Sequence, residues 1–215
     1  MKKLAIGLLF AAGRVSPRGL CAQSPKALPH SAMHAAAQGT LDNLMAAFSA
    51  ESNSREEALA WAKKADEEGY KKAAQLFRAV AKSEEIHAGF HAGVIKSLGG
   101  KPVPEMKTPV VKSTRENLER ALQNETMSAE KLYPGFVEQA KADNVKEARM
   151  AFGSAIKIYS GRKPLYEAAI KNLKAWKKAS RGFMVCTVCG ELVEHINFMK
   201  CPVCGAAAGK FIRVR

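Results

Sequence analysis

The sequence predicts an all-α four-helix bundle followed by a small metal-binding domain. Apolar residues recur at helical spacing in four stretches between positions 41 and 178. Four of the five cysteines lie within the last thirty residues, as two Cys-x-x-Cys pairs. With 215 residues, 47% of them hydrophobic and 25% charged, the chain is long enough for one core and a small appendage. This composition excludes a disordered chain and a collagen-like repeat.

Residues 1–38 predict a leader that lies outside the fold. Lys2 and Lys3 precede a nine-residue apolar run, which is typical of a secretory signal peptide and too short to cross a bilayer as a helix. The serine- and arginine-containing stretch that follows also suits an organelle transit segment. Export to the periplasm is the favoured interpretation, with a cytoplasmic or organellar protein as the alternative, and no membrane span is predicted.

The net charge of +14 raises the question of a nucleic-acid partner. Lys and Arg number 34 against 20 Asp and Glu, but five of the basic residues lie in the leader, which has no acidic residue. The others alternate with acids, and no basic stripe is interleaved with aromatic residues. We therefore expect no nucleic-acid partner.

Apolar spacing and one capping signal predict the first three helices. Periodic runs predict helices over 41–68 and 70–98, and two glycines followed by two prolines predict a loop after the second. Ser113 with Glu116 three positions later is the signature of a capping box, in which each side chain satisfies a free backbone N–H of the other residue. The third helix is therefore predicted over 113–140.

A second capping signal, Asn144 with Glu147, predicts the start of the fourth helix. This helix is predicted over 145–178. It contains Gly161 and Pro164, which we expect to bend or break it, because proline lacks an N–H and clashes with the preceding turn.

Helices of nearly thirty residues, with a longer crossing segment at 99–113, predict a ferritin-like four-helix bundle. The bundle is expected over 39–180. After residue 181 the composition changes to short Val, Phe, Cys and Gly elements, so 181–215 is predicted to be a second domain. About 35 residues cannot hold a fold by burial alone, and this domain needs a metal.

The cysteine pairs predict that metal site. Cys186-x-x-Cys189-Gly and Cys201-x-x-Cys204-Gly are two tight turns, each of which presents two thiolates on one side. Two such turns close a tetrahedral site of four sulfurs. The same spacing holds zinc in zinc ribbons and iron in rubredoxin-like FeS4 centres, so both metals stay open at this point.

Within residues 41–215, the two cysteine turns are accompanied by the segments Ala47-Phe-Ser-Ala-Glu51-Ser, Ala81-Lys-Ser-Glu84-Glu-Ile-His87-Ala, Asn117-Leu, Asn124-Glu125 and Tyr133-Pro-Gly-Phe136. A ferritin-like bundle with these segments, followed by this tail, resembles rubrerythrin, a family of non-haem iron proteins that reduce hydrogen peroxide. The resemblance implies a rubredoxin-like FeS4 centre in the tail that passes electrons to a bundle iron site, within a homodimer. The electron donor is not implied.

Four residues match the bundle ligands of this family. Two irons need bridging and terminal carboxylates, normally one Glu from each of two helices and a Glu-x-x-His from each of the other two. Glu51 on the first helix, Glu84 with His87 on the second, and Glu125 on the third match that pattern. We expect all four side chains to face the bundle interior.

The fourth helix departs from the family pattern. Its frame places the second Glu-x-x-His at positions occupied by Tyr159 and Arg162, and Ser128 stands where the third helix usually carries another carboxylate. Inward carboxylates without metal need compensating charge, which a guanidinium supplies together with up to five hydrogen-bond donors. We expect Arg162 to supply it in place of a normal iron pair. The alternative is that the distorted helix turns Arg162 to solvent.

Three functions remain open. The first is peroxide reduction of the rubrerythrin kind, with electrons entering at the tail. The second is a non-catalytic relative, in which only the tail binds iron or zinc and the protein carries electrons or serves as a scaffold. The third, a zinc-ribbon nucleic-acid adaptor, is disfavoured because the tail has no helix to enter a groove.

Overall fold

The computed structural model describes residues 37–215. Residues 1–36 of the predicted leader lie outside them, whereas Gln38, its last residue, begins the first helix. Helix α1 is Gln38–Glu67 and α2 is Lys71–Ser97. The third segment comprises α3 (Thr114–Met127), a π-helical turn (Ser128–Leu132) and α4 (Tyr133–Ala142). The fourth is α5 (Lys146–Lys171), which a 3-10 turn (Leu173–Lys177) follows. The predicted ferritin-like bundle is confirmed, and no helix in the described part of the chain is long and apolar enough to span a membrane.

Two apolar clusters form the core of the bundle. One contains Trp61 and Phe77, and the other contains Leu44 and Phe152. Between the two clusters lies a polar layer of buried side chains: Glu51 of α1, Glu84, His87 and His91 of α2, Glu125 of α3, Tyr133 of α4, and Tyr159 and Arg162 of α5. The predicted bundle ligands all belong to this layer.

The helix predicted over 113–140 is interrupted. Its capping box is confirmed, since Glu116 N–H donates to Ser113 Oγ (3.4 Å) and Ser113 N–H donates to Glu116 Oε2 (3.2 Å). The interruption is the π-helical turn, which ends just before Pro134. Proline cannot donate to the preceding turn and its ring crowds that turn, so the wider π turn accommodates it.

The predicted cap pair at the start of the fourth helix is wrong. The N-cap is Val145, with no side-chain cap, and Asn144 instead has a left-handed backbone (φ 57°). Asn144 N–H donates to the Lys141 carbonyl (3.1 Å), and Val145 N–H to the Ala140 carbonyl (2.8 Å). Asparagine tolerates this conformation better than most residues, so it terminates α4 rather than starting α5.

Helix α5 continues through Gly161 and Pro164 as far as Lys171, so the expected break does not occur. Tyr166 and Ala169, which follow the proline, are buried in the core. Packing on both sides of Pro164 therefore outweighs the hydrogen bond that proline removes. The segment from Leu173 to Lys177 is a 3-10 turn, which shortens the α-helix predicted over 145–178.

The tail is a small antiparallel sheet that carries the two cysteine turns. Its strands are β1 (Phe183–Cys186), β2 (Leu192–Val193) and β3 (Phe211–Val214), with β1 in the centre. The sheet packs against the end of the bundle through an aromatic contact: the Phe183 ring stacks on the Trp176 ring, with 6.4 Å between the two centroids.

The first cysteine turn lies directly on α2. Ser83 Oγ donates to the Gly190 carbonyl (2.6 Å), and His87 Nε2 lies 3.0 Å from the Cys189 carbonyl. Gly190 has a φ of 82°, and a Cβ there would lie 2.7 Å from His87 Nε2. Only glycine permits both this turn and this close approach.

We expect Gly190→Ala to detach the tail from the bundle, because its methyl group would collide with α2. Gly205→Ala is the matched control: Gly205 occupies the same place in the second turn with φ 75°, but a Cβ there meets nothing within 4 Å. Both variants carry backbone strain of ~1 kcal/mol. Limited proteolysis near residue 180 should accelerate only in Gly190→Ala, and equal cleavage of the two variants would contradict the contact.

Candidate metal centres

The four cysteine sulfurs of the tail are arranged for one metal ion. Cys186 Sγ lies 3.8 Å from Cys204 Sγ, Cys189 Sγ lies 3.6 Å from Cys201 Sγ, and all four sulfurs lie within 4.8 Å of one another. A tetrahedral ion with bonds of about 2.3 Å places its sulfurs about 3.8 Å apart. Burial raises the pKa of the Cys189 and Cys201 thiols, so a cation is needed to keep them as thiolates.

The predicted bundle ligands are all buried in the polar layer. Glu51, Glu84 and His87 each direct one ligand atom to a common point, with these atoms within 4.8 Å of one another. Glu84 and His87 share a face because they are three residues apart on α2. Glu125 is buried as well but lies outside this group of three, and its carboxylate is paired with Arg162.

Arg162 lies between two of the predicted ligands and is only 1% exposed. Its Nη2 is 2.5 Å from Glu84 Oε1, and its Nε is 3.0 Å from Glu125 Oε1. Nη2 also donates to Glu125 Oε2 (3.1 Å). The alternative that Arg162 points to solvent is therefore wrong, and its guanidinium supplies positive charge between α2 and α3.

The two carboxylates respond differently to this single cation. Burial alone would raise the pKa of Glu84, but Arg162 and His87 outweigh it and lower that pKa to about 2. Burial raises the pKa of Glu125 to about 7, and Arg162 offsets only part of that rise. The difference is consistent with geometry, because Glu84 has the shorter contact with Arg162 and a second partner in His87.

Tyr159 faces the bundle interior and donates a hydrogen bond to Glu51 (2.9 Å). The same oxygen, Glu51 Oε1, also accepts from Tyr133 Oη (2.8 Å) and lies 3.0 Å from His91 Nε2. Three donors thus surround one carboxylate oxygen, and they offset the cost of burying its charge. Tyr159 supports the carboxylate where the family pattern has another ligand.

Sequence reasoning missed His91 and Glu191. His91 is one turn after His87 on α2, and that spacing was the available signal for a shared inward face. Glu191 comes from the tail and is only 8% exposed; burial raises its pKa to about 7, with Arg162 and His87 acting in the opposite direction. No pattern in the sequence connects Glu191 to the bundle, since the contact arises from docking of the tail.

Several buried atoms of the polar layer make no hydrogen bond with the described residues, and three of them belong to potential metal ligands: Glu51 Oε2, Glu84 Oε2 and His87 Nδ1. His91 Nδ1 and the Nε and Nη1 of Arg162 likewise make no hydrogen bond within the described part of the chain. The two oxygens and one nitrogen of the potential ligands suit a single divalent cation.

A cavity of about 50 Å³ adjoins Glu51 and Glu84, lined also by Arg162 and by Ser128, which offers no carboxylate. The residues present therefore fit one ion in the bundle and do not fit an iron pair. Arg162 supplies no metal ligand, and burial raises the pKa of Tyr159 well above its ordinary value, which keeps its hydroxyl protonated as a donor to Glu51.

The architecture and the two sites match one protein family. The Rubrerythrin family model matches residues 42–158. The chain belongs to the rubrerythrin family. It is thus a rubrerythrin-type non-haem iron protein, with a ferritin-like bundle and a C-terminal four-cysteine cluster. Rubrerythrin-2 of Clostridium acetobutylicum is 32% identical over 176 residues, covering 80% of this chain and 95% of that protein.

Nigerythrin is similar to this chain in both sequence and structure. Nigerythrin of Nitratidesulfovibrio vulgaris is 31% identical over 166 residues, covering 77% of this chain and 81% of that protein. A solved structure of fully reduced, all-ferrous nigerythrin superposes with a TM-score of 0.75 at 27% identity, covering 90% and 91% of the two chains. A bacterioferritin of Desulfovibrio desulfuricans, with a TM-score of 0.61 and 21% identity, shares the fold alone.

We expect Arg162→Met to destabilise the protein by ~3–5 kcal/mol near pH 8, because it leaves two buried carboxylates without a cation. In the wild type, the lowered pKa of Glu84 stabilises the fold, and this stability is lost as pH falls from about 4.5 to about 2. The raised pKa of Glu125 has the opposite effect, so the fold loses stability as pH rises from about 4.5 to about 7.

Without Arg162, protonation relieves the cost of burying both carboxylates, so the stability difference between Arg162→Met and the wild type should shrink towards pH 5. Urea unfolding at pH 8 and pH 5 measures this difference.

Lys157→Met is the control for this experiment, since Lys157 is an exposed cation on the same helix. Its unfolding free energy should change by less than ~0.5 kcal/mol at either pH. A deficit in Arg162→Met that stays constant between pH 8 and pH 5 would show that the carboxylates do not depend on the guanidinium.

Proposed function

We propose that this rubrerythrin is a one-electron carrier, in which the four tail cysteines hold iron and the bundle does not carry out two-iron peroxide reduction. The observation that supports this is the buried guanidinium of Arg162, paired with both Glu84 and Glu125. This proposal corresponds to the second of the three functions expected from the sequence, that of a non-catalytic relative in which only the tail binds metal. A homodimer stays a prediction from the family resemblance.

Iron in the tail is supported by the sulfur spacing and by the relatives. The solved nigerythrin that spans both parts of this chain is all-ferrous. Four thiolates hold either ferric or ferrous iron, so the bound ion would supply one-electron chemistry. Cys204 is the exposed member of the cluster, and its side of the centre offers a partner the shortest approach. Zinc fits the same sulfurs and would make the tail a structural element only.

Electrostatics oppose a second metal ion in the bundle. Two unit positive charges about 4 Å apart repel by ~4 kcal/mol at an effective dielectric constant of 20, and a divalent ion doubles that cost. Arg162 cannot lose its proton to relieve the repulsion, because Glu125 and Glu84 hold its pKa well above the ordinary value against the effect of burial. Two-iron loading would require Arg162 to leave its buried position.

A second candidate function is peroxide chemistry at a single bundle ion. It is favoured by the three partnerless atoms of Glu51, Glu84 and His87, and by a cavity of about 50 Å³ that Glu51 and Glu84 line. That volume has room for a few water-sized molecules, and hydrogen peroxide fits it. The number of metal ions per chain separates this function from the first.

Elemental analysis and visible spectroscopy of the purified full-length protein test the proposal. We expect one iron per chain, and thiolate-to-iron absorption that bleaches on reduction. Two ions per chain, with metal-dependent peroxide consumption, would favour the single-ion function. Three irons per chain, or one zinc and a colourless protein, would overturn the proposal.

We expect the double substitution Tyr159→Glu and Arg162→His to restore the missing Glu-x-x-His and remove the competing cation. The variant should bind two more irons per chain than the wild type and gain peroxide-dependent oxidation of its reduced tail. Tyr159→Phe with Arg162→Met is the matched control, because it removes the same two groups without adding ligands. Equal iron content in the two double variants would show that these positions are not lost ligand positions.

A further inference from the structure

Two tyrosines in the polar layer form a hydrogen-bonded pair whose hydroxyls are not themselves metal ligands. Tyr133 and Tyr159 are 1% and 5% exposed, and their hydroxyl oxygens lie 3.3 Å apart. Their rings meet edge to face at 5.3 Å between centroids. Both hydroxyls donate to Glu51 Oε1, at 2.8 Å and 2.9 Å.

The geometry points to a redox function for this pair. We propose that Tyr159 and Tyr133 are the site at which the bundle gives up one electron to a radical oxidant, and that the reduced tail then returns that electron. The first half depends only on the tyrosines and Glu51. The second half rests on the proposed iron in the tail.

The protons and electrons of both halves balance. A phenol becomes strongly acidic when it loses an electron, so a buried tyrosine is oxidised readily only beside a proton acceptor. An oxygen-centred radical takes one electron from Tyr159, and the phenolic proton moves along the 2.9 Å hydrogen bond to Glu51 Oε1. One electron from the tail, with the same proton returning from Glu51, restores the phenol. The net result is reduction of one radical to its anion for each electron drawn from the tail.

A continuous series of contacts joins the pair to the tail. The Tyr159 ring lies edge to face against the His87 ring, at 5.6 Å between centroids. His87 Nε2 lies 3.0 Å from the carbonyl of Cys189, whose sulfur belongs to the four-sulfur cluster. The electron therefore crosses from Cys189 to Tyr159 through one intervening side chain.

The surroundings of Tyr133 and Tyr159 make this pair a better electron donor to small oxidants than the other tyrosines. Both rings line the cavity of about 50 Å³ beside Arg162, which has room for a species of the size of a hydroxyl or hydroperoxyl radical. Tyr166 lines the same cavity, but its hydroxyl lies 3.4 Å from Glu125, a weaker contact. Tyr70 is half-buried with no carboxylate partner for its hydroxyl among the described residues.

Flash photolysis with a ruthenium tris-bipyridine oxidant, followed by freeze-trapping and electron paramagnetic resonance, tests the first half. The full-length protein is used with zinc in its tail, so that no electron is returned. We expect a tyrosyl signal that narrows on ring deuteration of tyrosine and is lost when Tyr133→Phe and Tyr159→Phe are combined, because either hydroxyl donates to Glu51 Oε1. Tyr70→Phe is the control, and its signal should match that of the wild type. A signal that is kept in the double variant, or one that arises from Trp61 or Trp176, would overturn the proposal.

The same flash on protein with a reduced iron tail tests the second half. We expect loss of the trapped tyrosyl signal and stoichiometric appearance of ferric tail absorption. In Tyr159→Phe that oxidation of the tail should slow. A tyrosyl signal that persists beside a ferrous tail would contradict the return of the electron. A native tail that holds only zinc would instead defeat the proposed carrier function, and the radical result in zinc protein is judged independently of it.

Discussion

The buried guanidinium of Arg162 determines what the bundle interior can contain. A ferritin-like bundle that keeps Glu51, Glu84 and Glu125 in its centre must neutralise them, because a carboxylate in a dry interior loses several kcal/mol of hydration. Arg162 pairs with two of them, supplies one positive charge and stays charged at every accessible pH. Donors from Tyr133, Tyr159 and His91 satisfy one oxygen of the third carboxylate, Glu51. The protein thereby retains the acidic centre of its family while relying on its own side chains for positive charge and hydrogen bonds.

The position of the tail depends on the same layer. His87 matches a family ligand, yet its Nε2 contacts the Cys189 carbonyl, while its Nδ1 lies 3.6 Å from Glu84 Oε2. One imidazole therefore connects the four-cysteine cluster to the Glu84–Arg162 pair. Gly190 permits the approach, and ion pairing between Lys72 and Glu194 (2.7 Å) adds a more exposed contact. His87 is thus the single side chain that separates the charges of Glu84 and Arg162 from the tail cluster.

Much of this organisation could be predicted from the sequence because it follows from periodicity and spacing. The inward placement of Glu51, Glu84, His87 and Glu125, the capping box at Ser113 and the gathering of the four cysteines are local or pairwise patterns. The absence of Glu125 from the group of potential ligands could not be read in this way, because it depends on where tertiary packing places its carboxylate relative to Glu51 and His87. The contacts of His91 and Glu191 likewise depend on tertiary packing. The cap predicted at Asn144 was wrong because this residue forms a left-handed turn that ends α4. The break predicted in α5 was wrong because packing on both sides of Pro164 outweighs the local effect of proline.

The central claim concerns what occupies the space between Glu84 and Glu125, and X-ray diffraction at the iron absorption edge tests it most directly. Crystals of the full-length protein, grown with excess ferrous iron under anaerobic conditions, would show each iron as an anomalous peak. We expect a peak at the four cysteine sulfurs, at most one near Glu51 and His87, and the Arg162 guanidinium in contact with both carboxylates. Two peaks about 3–4 Å apart in the bundle, with Arg162 displaced from Glu84 and Glu125, would contradict it.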